Sequence, residues 1–437
     1  MGTTKPRMQD LTPIIDRIER RLSACSIFLS YTGRLEMVNS VITPTTTYGM
    51  CTVKFPIGVF DNIDRSRKQC LWRGNDPMNK GPNLVAWSAV QKPKAKGGLG
   101  IQNLRLQNDA LLMKQLHKFY AKANIPWVQL IWFKYYQNKV PHGSREVGSF
   151  WWKDILRLST LYRGIARCKV GDGSTVLFWE DHWSDMILSM EYPRLFSFAR
   201  NKSISVKQIM EAEDLNSIFA LPLSLQALDE LHRLQEHLHL TPYSVGEDDQ
   251  WIFQWGNQNY TSRKLYTLAF QHLQSPPTFK WIWKSKCTPR IKFFVWLILV
   301  DRLNTRDMLQ LRNFMVQPNA NCVMCNGNVL EDINHLFFDC LFARRCWQKI
   351  GIHWSNSTCI YERLRNARSM AGYPYFMEIF MIAAWEIWKL RNGRIFEGKP
   401  ATFHLWIVRF KDQVTLQLHR VRDDVRSVIL QWLETTL

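Results

Sequence analysis

CVMCNGNVLEDINHLFFDC, residues 322–340, decides how this chain is read. It spaces Cys322, Cys325, His335 and Cys340 as Cys-x2-Cys-x9-His-x4-Cys. Three thiolates and one imidazole make a complete donor set for tetrahedral zinc. The first pair closes a tight knuckle, and the intervening segment is short enough to fold around an ion. No position is left for a substrate water, so the pattern points to one structural Zn2+ rather than a catalytic one. Leu336, Phe337 and Phe338, between the last two donors, are expected to pack beneath the site. Cys346 lies six residues beyond Cys340 and is a poorer fourth donor. Glu331, Asp332 and Asp339 read as supporting or solvent-facing groups rather than ligands.

Outward from this stretch the periodicity is mainly helical. Lys292 to Leu311 reads as an aromatic-rich helix leading into the knuckle, and residues 375–396 and 403–434 as two more. Upstream, Ile14, Ile15, Ile18 and Leu22 recur at helical spacing. Further helices are expected over Arg34 to Ile42, Asp61 to Leu71 and Leu104 to Tyr120, with Thr43 to Thr47 as a break. Two β hairpins are expected. One is Ile165 to Val170 with Thr175 to Trp179 around Gly171-Asp172-Gly173; the other joins Trp251 to Trp255 with Gln258 to Thr261 around Gly256-Asn257. Helix returns over residues 204–240 and again at Ser262, a capping residue. The fold class is therefore mainly α with small β hairpins and a small zinc-stabilised domain. Four segments follow: 1–145 helical, 146–248 a connector with a hairpin, 249–352 the zinc-binding domain, and 353–437 a helical tail.

The 437 residues are too many for one ordinary core. An apolar fraction of 46% with 19 tryptophans excludes a disordered chain. The net charge of +20 favours polyanionic partners, most simply RNA or DNA. That surplus is uneven. Residues 1–150 carry 22 basic and 9 acidic side chains, 151–250 carry 10 and 15, 251–350 carry 13 and 5, and 351–437 carry 12 and 8. Seven cysteines outside the motif (Cys25, Cys51, Cys70, Cys168, Cys287, Cys346 and Cys359) are scattered singly, as reduced thiols of cytoplasm or nucleus are. The polar N-terminus is no secretory signal, Pro6 spoils a myristoylation pattern at Gly2, and no apolar run is long enough to span a membrane.

Two basic stretches are candidate nucleic-acid contacts. Lys92, Lys94 and Lys96 sit in a loop with Gly97, Gly98 and Gly100, where glycines allow close backbone approach to phosphates. Lys284, Lys286 and Arg290 interleave with Trp281 and Trp283, a composition that suits phosphate contact plus base stacking; a tryptophan core is the alternative. His182, His237, His239 and His353 have no partner ligands in the sequence and read as structural. Asp248-Asp249 and Asp423-Asp424 lie in polar or helical surroundings, unlike a two-metal carboxylate pair. No P-loop or nucleophile elbow is present.

Five stretches then carry a resemblance. They are Trp72-Arg73-Gly74 with Val85-Ala86-Trp87 and Pro93 to Ile101; Gly171-Asp172-Gly173 with Phe178 to Trp183; Tyr260 to Tyr266; Trp281 to Trp347 with Pro289, Lys292, Phe294 and Trp296; and Trp385 to Asn392. Together they resemble the C-terminal part of plant non-LTR (LINE-type) reverse transcriptase polyproteins, with their reverse transcriptase zinc-binding domain. The resemblance implies a thumb-like helical region after the polymerase palm, a connector, the zinc domain and a tail of the kind that precedes an RNase H domain. The palm's aromatic-x-Asp-Asp motif is not found, nor are endonuclease or RNase H regions. The expectation is a chain that begins just after the palm, does not catalyse, and binds nucleic acid through basic surfaces. Three alternatives stay open: a zinc-stabilised protein-interaction or scaffold module, a subunit that works with a reverse transcriptase palm supplied in trans, and an inert translated retrotransposon relic.

Overall fold

Thr12–Ser23, Ile57–Arg73 and Leu104–Tyr120 fold as the helices that their apolar spacing predicts. The computed structural model describes residues 4–23, 29–74, 81–136, 139–141, 148–241, 243, 246–314, 319–325 and 327–437. Helix dominates. The strands among the described residues are β1 (Ala166–Lys169) and β2 (Gln250–Phe253), paired antiparallel with Ala166 opposite Phe253 and Lys169 opposite Gln250. The chain is thus mainly α, with one small sheet and a Cys/His cluster.

Two compact units form. One gathers Met1–Arg17, Pro44–Ile63 and Asn103–Ala269; the other gathers Ile18–Thr43, Asp64–Gln102 and Phe270–Leu437. Segments 1–145 and 249–352 each supply residues to both units, whereas 146–248 falls wholly in the first and 353–437 wholly in the second.

The first unit is organised by aromatic packing around the Leu104–Tyr120 helix. Asn103 caps that helix by accepting from Leu106 N–H at 3.1 Å. Phe119 stacks on Trp132 at 4.4 Å and meets Trp152 at 4.5 Å. Tyr120 and Tyr162 close over Trp251 of β2. A charge lies among these rings: Arg163 is paired with the fully buried Asp181 and sits 4.7 Å from the Tyr120 ring centre. Asn108 satisfies backbone at the end of the Thr43–Thr52 helix, donating to Met50 O at 2.8 Å and Val53 O at 3.0 Å.

Neither expected hairpin forms. β1 and β2 are the strands read from sequence, but they pair with each other across some eighty residues. Asp249 explains the choice. Its buried carboxylate accepts Gly171 N–H and Gly173 N–H on one oxygen, and Thr175 N–H and the Thr175 hydroxyl on the other, all within 2.9 Å. The Gly-Asp-Gly turn is therefore bound to the start of β2, and Thr175 to Trp179 does not return along β1. After β2, Phe253 donates to Asn257 O and Gly256 to Phe253 O, which closes a turn with no second strand.

Three other readings are corrected. Thr43 to Thr47 is not a break, because the chain passes from Tyr31–Met37 through a π turn at Val38–Ile42 into the Thr43–Thr52 helix. The wider turn lets Thr43 N–H reach Val38 O, with the Thr43 hydroxyl on the same oxygen at 2.8 Å, so Pro44 follows without disrupting the helix. Lys292 to Leu311 is two helices, Pro289–Leu299 and Arg306–Leu311, since Thr305 caps the second through Met308 N–H. Residues 403–434 are likewise split into Phe403–Gln417 and Asp423–Thr436. Asp423 and Asp424 occupy the first turn of the latter helix, where the dipole favours carboxylates.

In the second unit the 92–100 loop is packed, not splayed. Pro93 O accepts from Lys96 and Gly98, and Gly100 donates to Lys92 O. A Cβ on Gly98 would stand 2.0 Å from Lys92 O, so only glycine fits. Trp296 donates its indole N–H to Gly97 O at 2.9 Å, and Ser275 donates to Ala95 O at 2.8 Å. Among the described residues no helix is long and apolar enough to cross a membrane. The nine described cysteines are free thiols, and Cys25 lies outside the described residues.

Asp249→Ala is expected to destabilise the first unit by at least about 3 kcal/mol, because three buried N–H groups lose their acceptor together. Chemical denaturation followed by tryptophan fluorescence measures this; an unshifted midpoint would show that the turn is held by something else.

Candidate metal centre

Each donor is placed by local backbone chemistry. Cys322 N–H donates to Val329 O at 2.8 Å and Glu331 N–H to Ala320 O at 2.9 Å, so a short antiparallel bridge brings the two ends of the knuckle together. Met324 N–H points at Cys322 Sγ, 3.4 Å away, the amide-to-sulfur contact of a tight knuckle. His335 opens a single π turn, His335–Asp339, and the Asp332 carboxylate accepts its N–H at 2.6 Å. That turn ends where Cys340 donates to His335 O. Cys340 is itself the N-cap of the Leu341–Lys349 helix, so its sulfur faces the amides of Phe342 and Ala343.

The four donor atoms lie within 4.8 Å of one another. Cys325 Sγ stands 3.3 Å from His335 Nε2, and Cys322 Sγ 3.9 Å from Cys340 Sγ. A tetrahedral zinc with metal–sulfur bonds of about 2.3 Å and metal–nitrogen bonds of about 2.0 Å separates sulfurs by about 3.7 Å and sulfur from nitrogen by about 3.5 Å. Those two pairs are thus spaced close to what that ion requires, and the whole set, within 4.8 Å, is drawn together around one point. The Cys340 thiol is pulled down to about 4, first by a hydrogen bond from Cys322, then by His335 and by the helix amides, against the opposing effect of burial. That downward shift favours the thiolate, the metal-binding form. Cys346 is fully buried and is not part of the cluster; burial pushes its thiol up.

Support comes from two directions. Leu336, Phe337 and Phe338 are fully buried, as expected, with Phe337 against Phe294 and Phe338 against Trp354. Asp339 turns away from the cluster to Arg363, which holds both its oxygens at 3.1 and 3.2 Å. Glu331 is the group that sequence reasoning undervalued. It is fully buried, pairs with Arg391 at 2.5 Å, and accepts Arg306 N–H at 3.0 Å. A signal existed: Arg391 falls beside Ile387 and Leu390 on the apolar face of the Phe376–Phe396 helix, and a cation there needs a buried partner.

The candidate nucleic-acid residues are distributed unevenly. Lys94 lies over the Trp283 ring at 4.9 Å and, with Lys286, is near enough to Lys292 to help lower its pKa, an effect led by burial. Arg290 sits over Trp385 at 5.4 Å. Lys284 and Lys286 are exposed, and Lys92 is half-buried. Lys96 is not aimed outward; its ammonium donates to Leu273 O. The amides of Gly97, Gly98 and Gly100 are also occupied internally, so the glycines do not form a phosphate cradle of free N–H groups.

A closed Cys3His cluster on a helical scaffold defines a small zinc-domain protein. Residues 260–347 match the family described as zinc-binding in reverse transcriptase. The chain is 24% identical to the putative ribonuclease H protein At1g65750 of Arabidopsis thaliana, over 88% of this chain and 64% of that protein, so it spans less than two thirds of that relative. It is 34% identical to the uncharacterized mitochondrial protein AtMg00310 of the same plant, over 26% of this chain and 75% of that protein. The chain belongs to the same family as the latter and is a retroelement-derived protein with a reverse transcriptase zinc-binding domain.

Arg391→Met alone leaves Glu331 charged and unpaired in the interior and is expected to cost about 3–5 kcal/mol. The Glu331→Gln/Arg391→Met double variant should recover much of that loss. Thermal denaturation of the three proteins checks this; equal midpoints for the single variant and the parent would refute the buried pair.

Proposed function

We propose that Cys322, Cys325, His335 and Cys340 hold one structural zinc ion, and that the protein is a non-catalytic, LINE-type reverse transcriptase remnant that binds RNA or DNA through the unit built around that ion. Zinc contributes cross-linking here, joining the knuckle to the Leu341–Lys349 helix. The chain's own residues do the binding.

The observation that carries the reading is the placement of charge. The unit that contains the Cys/His cluster holds 34 basic and 17 acidic side chains, a net +17, whereas the other holds 23 and 20, a net +3. Nearly all of the surplus accompanies the zinc domain. Lys94, Lys284, Lys286 and Arg290 are exposed, and two of them stand over tryptophan faces, Lys94 over Trp283 and Arg290 over Trp385, an arrangement that serves a polyanion with planar bases. Lys92 and Lys96 act as neighbours that raise the local potential, since Lys96 is tied to Leu273 O.

Two measurements test this. Elemental analysis of the reduced protein should find one zinc per chain, and Cys322→Ser/Cys325→Ser should lose both the ion and the folding of residues 280–350. Absence of zinc from the parent protein would sink the ligand assignment. Binding to a labelled oligonucleotide should weaken about fifty-fold between 50 and 200 mM salt if four phosphates of a single strand are contacted. Lys94→Gln/Lys286→Gln should flatten that dependence; a salt-independent interaction would favour an apolar protein interface instead.

A further inference from the structure

Two cavities in the zinc-bearing unit share a wall. One, of about 450 Å³, is lined by Tyr31, Arg34, Phe293 and Asn304; the other, of about 780 Å³, by Lys389, Asn392, Lys399 and Arg409. Arg290, Trp385 and Trp388 line both. Trp385 and Trp388 stand three residues apart on the Phe376–Phe396 helix, with Lys389 and Asn392 continuing the same face. The opposite face, through Ala383, Ala384, Ile387 and Leu390, is buried.

This pair of tryptophans differs from the fully buried ones. Trp296, Trp347 and Trp406 each donate the indole N–H to a backbone carbonyl. Trp385 and Trp388 are half-buried, and among the described residues their N–H groups make no hydrogen bond. Trp388 is braced from one side by Arg391 at 4.6 Å and by Phe294 at 6.1 Å. Tyr31, 39% exposed, stacks on Phe293 at 5.5 Å and adds a further ring at the far end. Cations flank this ridge. Arg34 Nε is buried without a hydrogen-bond partner, Arg290 lies over Trp385, and Arg409 lines the second cavity. The acids are already engaged, Glu397 with Lys399 and Glu386 with Lys389.

We propose that the two cavities form one groove for single-stranded nucleic acid, in which unpaired bases stack on Trp385 and Trp388 and the backbone phosphates meet Arg34, Arg290 and Arg409. The proposal rests on the nucleic-acid reading above and adds where the strand lies and what form it takes. Rings on a concave wall reach only bases whose faces are open, so a duplex is excluded from stacking there.

The test uses the full zinc-loaded chain and fluorescence anisotropy with labelled oligo(dT), oligo(U) and a duplex of equal length. Both single strands should bind at least about ten-fold more tightly than the duplex, and Trp385→Ala/Trp388→Ala should remove that preference, while Trp388→Phe keeps it. Arg34→Gln/Arg409→Gln, both half-buried and outside the Lys94, Lys286 and Arg290 set, is the second arm, and should weaken binding at least about five-fold with zinc content unchanged. If the tryptophan variant fails to fold, this arm decides alone, and unchanged affinity overturns the groove. Equal binding of duplex and single strand, sensitive to Lys94→Gln/Lys286→Gln but not to the groove variants, overturns the groove and leaves nucleic-acid binding standing. No binding by the parent chain overturns both.

Discussion

Three sulfurs and an imidazole nitrogen brought within 4.8 Å are the constraint on which the zinc-bearing unit depends. Thiolates so close repel one another, and burial leaves little water to screen them. Only a cation of matching softness and geometry reconciles them. The backbone prepares that meeting twice, with the Asp332 carboxylate turning His335 inward and the N-terminus of a helix receiving Cys340. The cluster joins a short bridge, one π turn and one α-helix, none of which is long enough to persist alone.

From there the order spreads by contact. The Leu341–Lys349 helix carries Trp347, whose N–H binds Phe337 O and whose ring stacks on Phe380 at 5.8 Å. Phe380 belongs to the Phe376–Phe396 helix, which Glu331 also grips through Arg391. That helix is therefore fixed in rotation by an aromatic contact near its start and an ion pair near its end. Its remaining face, with Trp385 and Trp388, is presented outward as a result. Metal chemistry at Cys322 to Cys340 and the aromatic ridge are two ends of one packing chain.

What was legible in the sequence follows the distance over which each feature is determined. The four side chains that cluster lie within nineteen residues, and their spacing alone marks them as candidates. Leu104–Tyr120 is bounded as its pattern indicated, because an Asn cap and a continuous apolar face act locally. The strands were legible but their partners were not: Asp249 and Gly171 are 78 positions apart, and no hairpin rule contains that pairing. Pro44 signalled a break that a π turn absorbed. Charge was legible as a sum; that it gathers in one of two interleaved units follows only from how three separate stretches assemble. Lys96 looked like a phosphate contact because sequence carries no direction, and its reach to Leu273 O is purely tertiary.

The Gly97–Trp296 hydrogen bond has a consequence in time. Its partners are separated by 199 residues, so at a synthesis rate of about 5–20 residues per second the loop leaves the ribosome about 10–40 s before the indole it will bind. During that wait the loop has only itself. Its own bonds, from Lys96 and Gly98 to Pro93 O, from Gly100 to Lys92 O and from Leu99 to Val90 O, shape it before any partner exists. The glycines that look made for an anion serve these internal bonds instead. Trp296, inside the 260–347 stretch, thus finds its acceptor outside that stretch, in a loop that translation has already delivered.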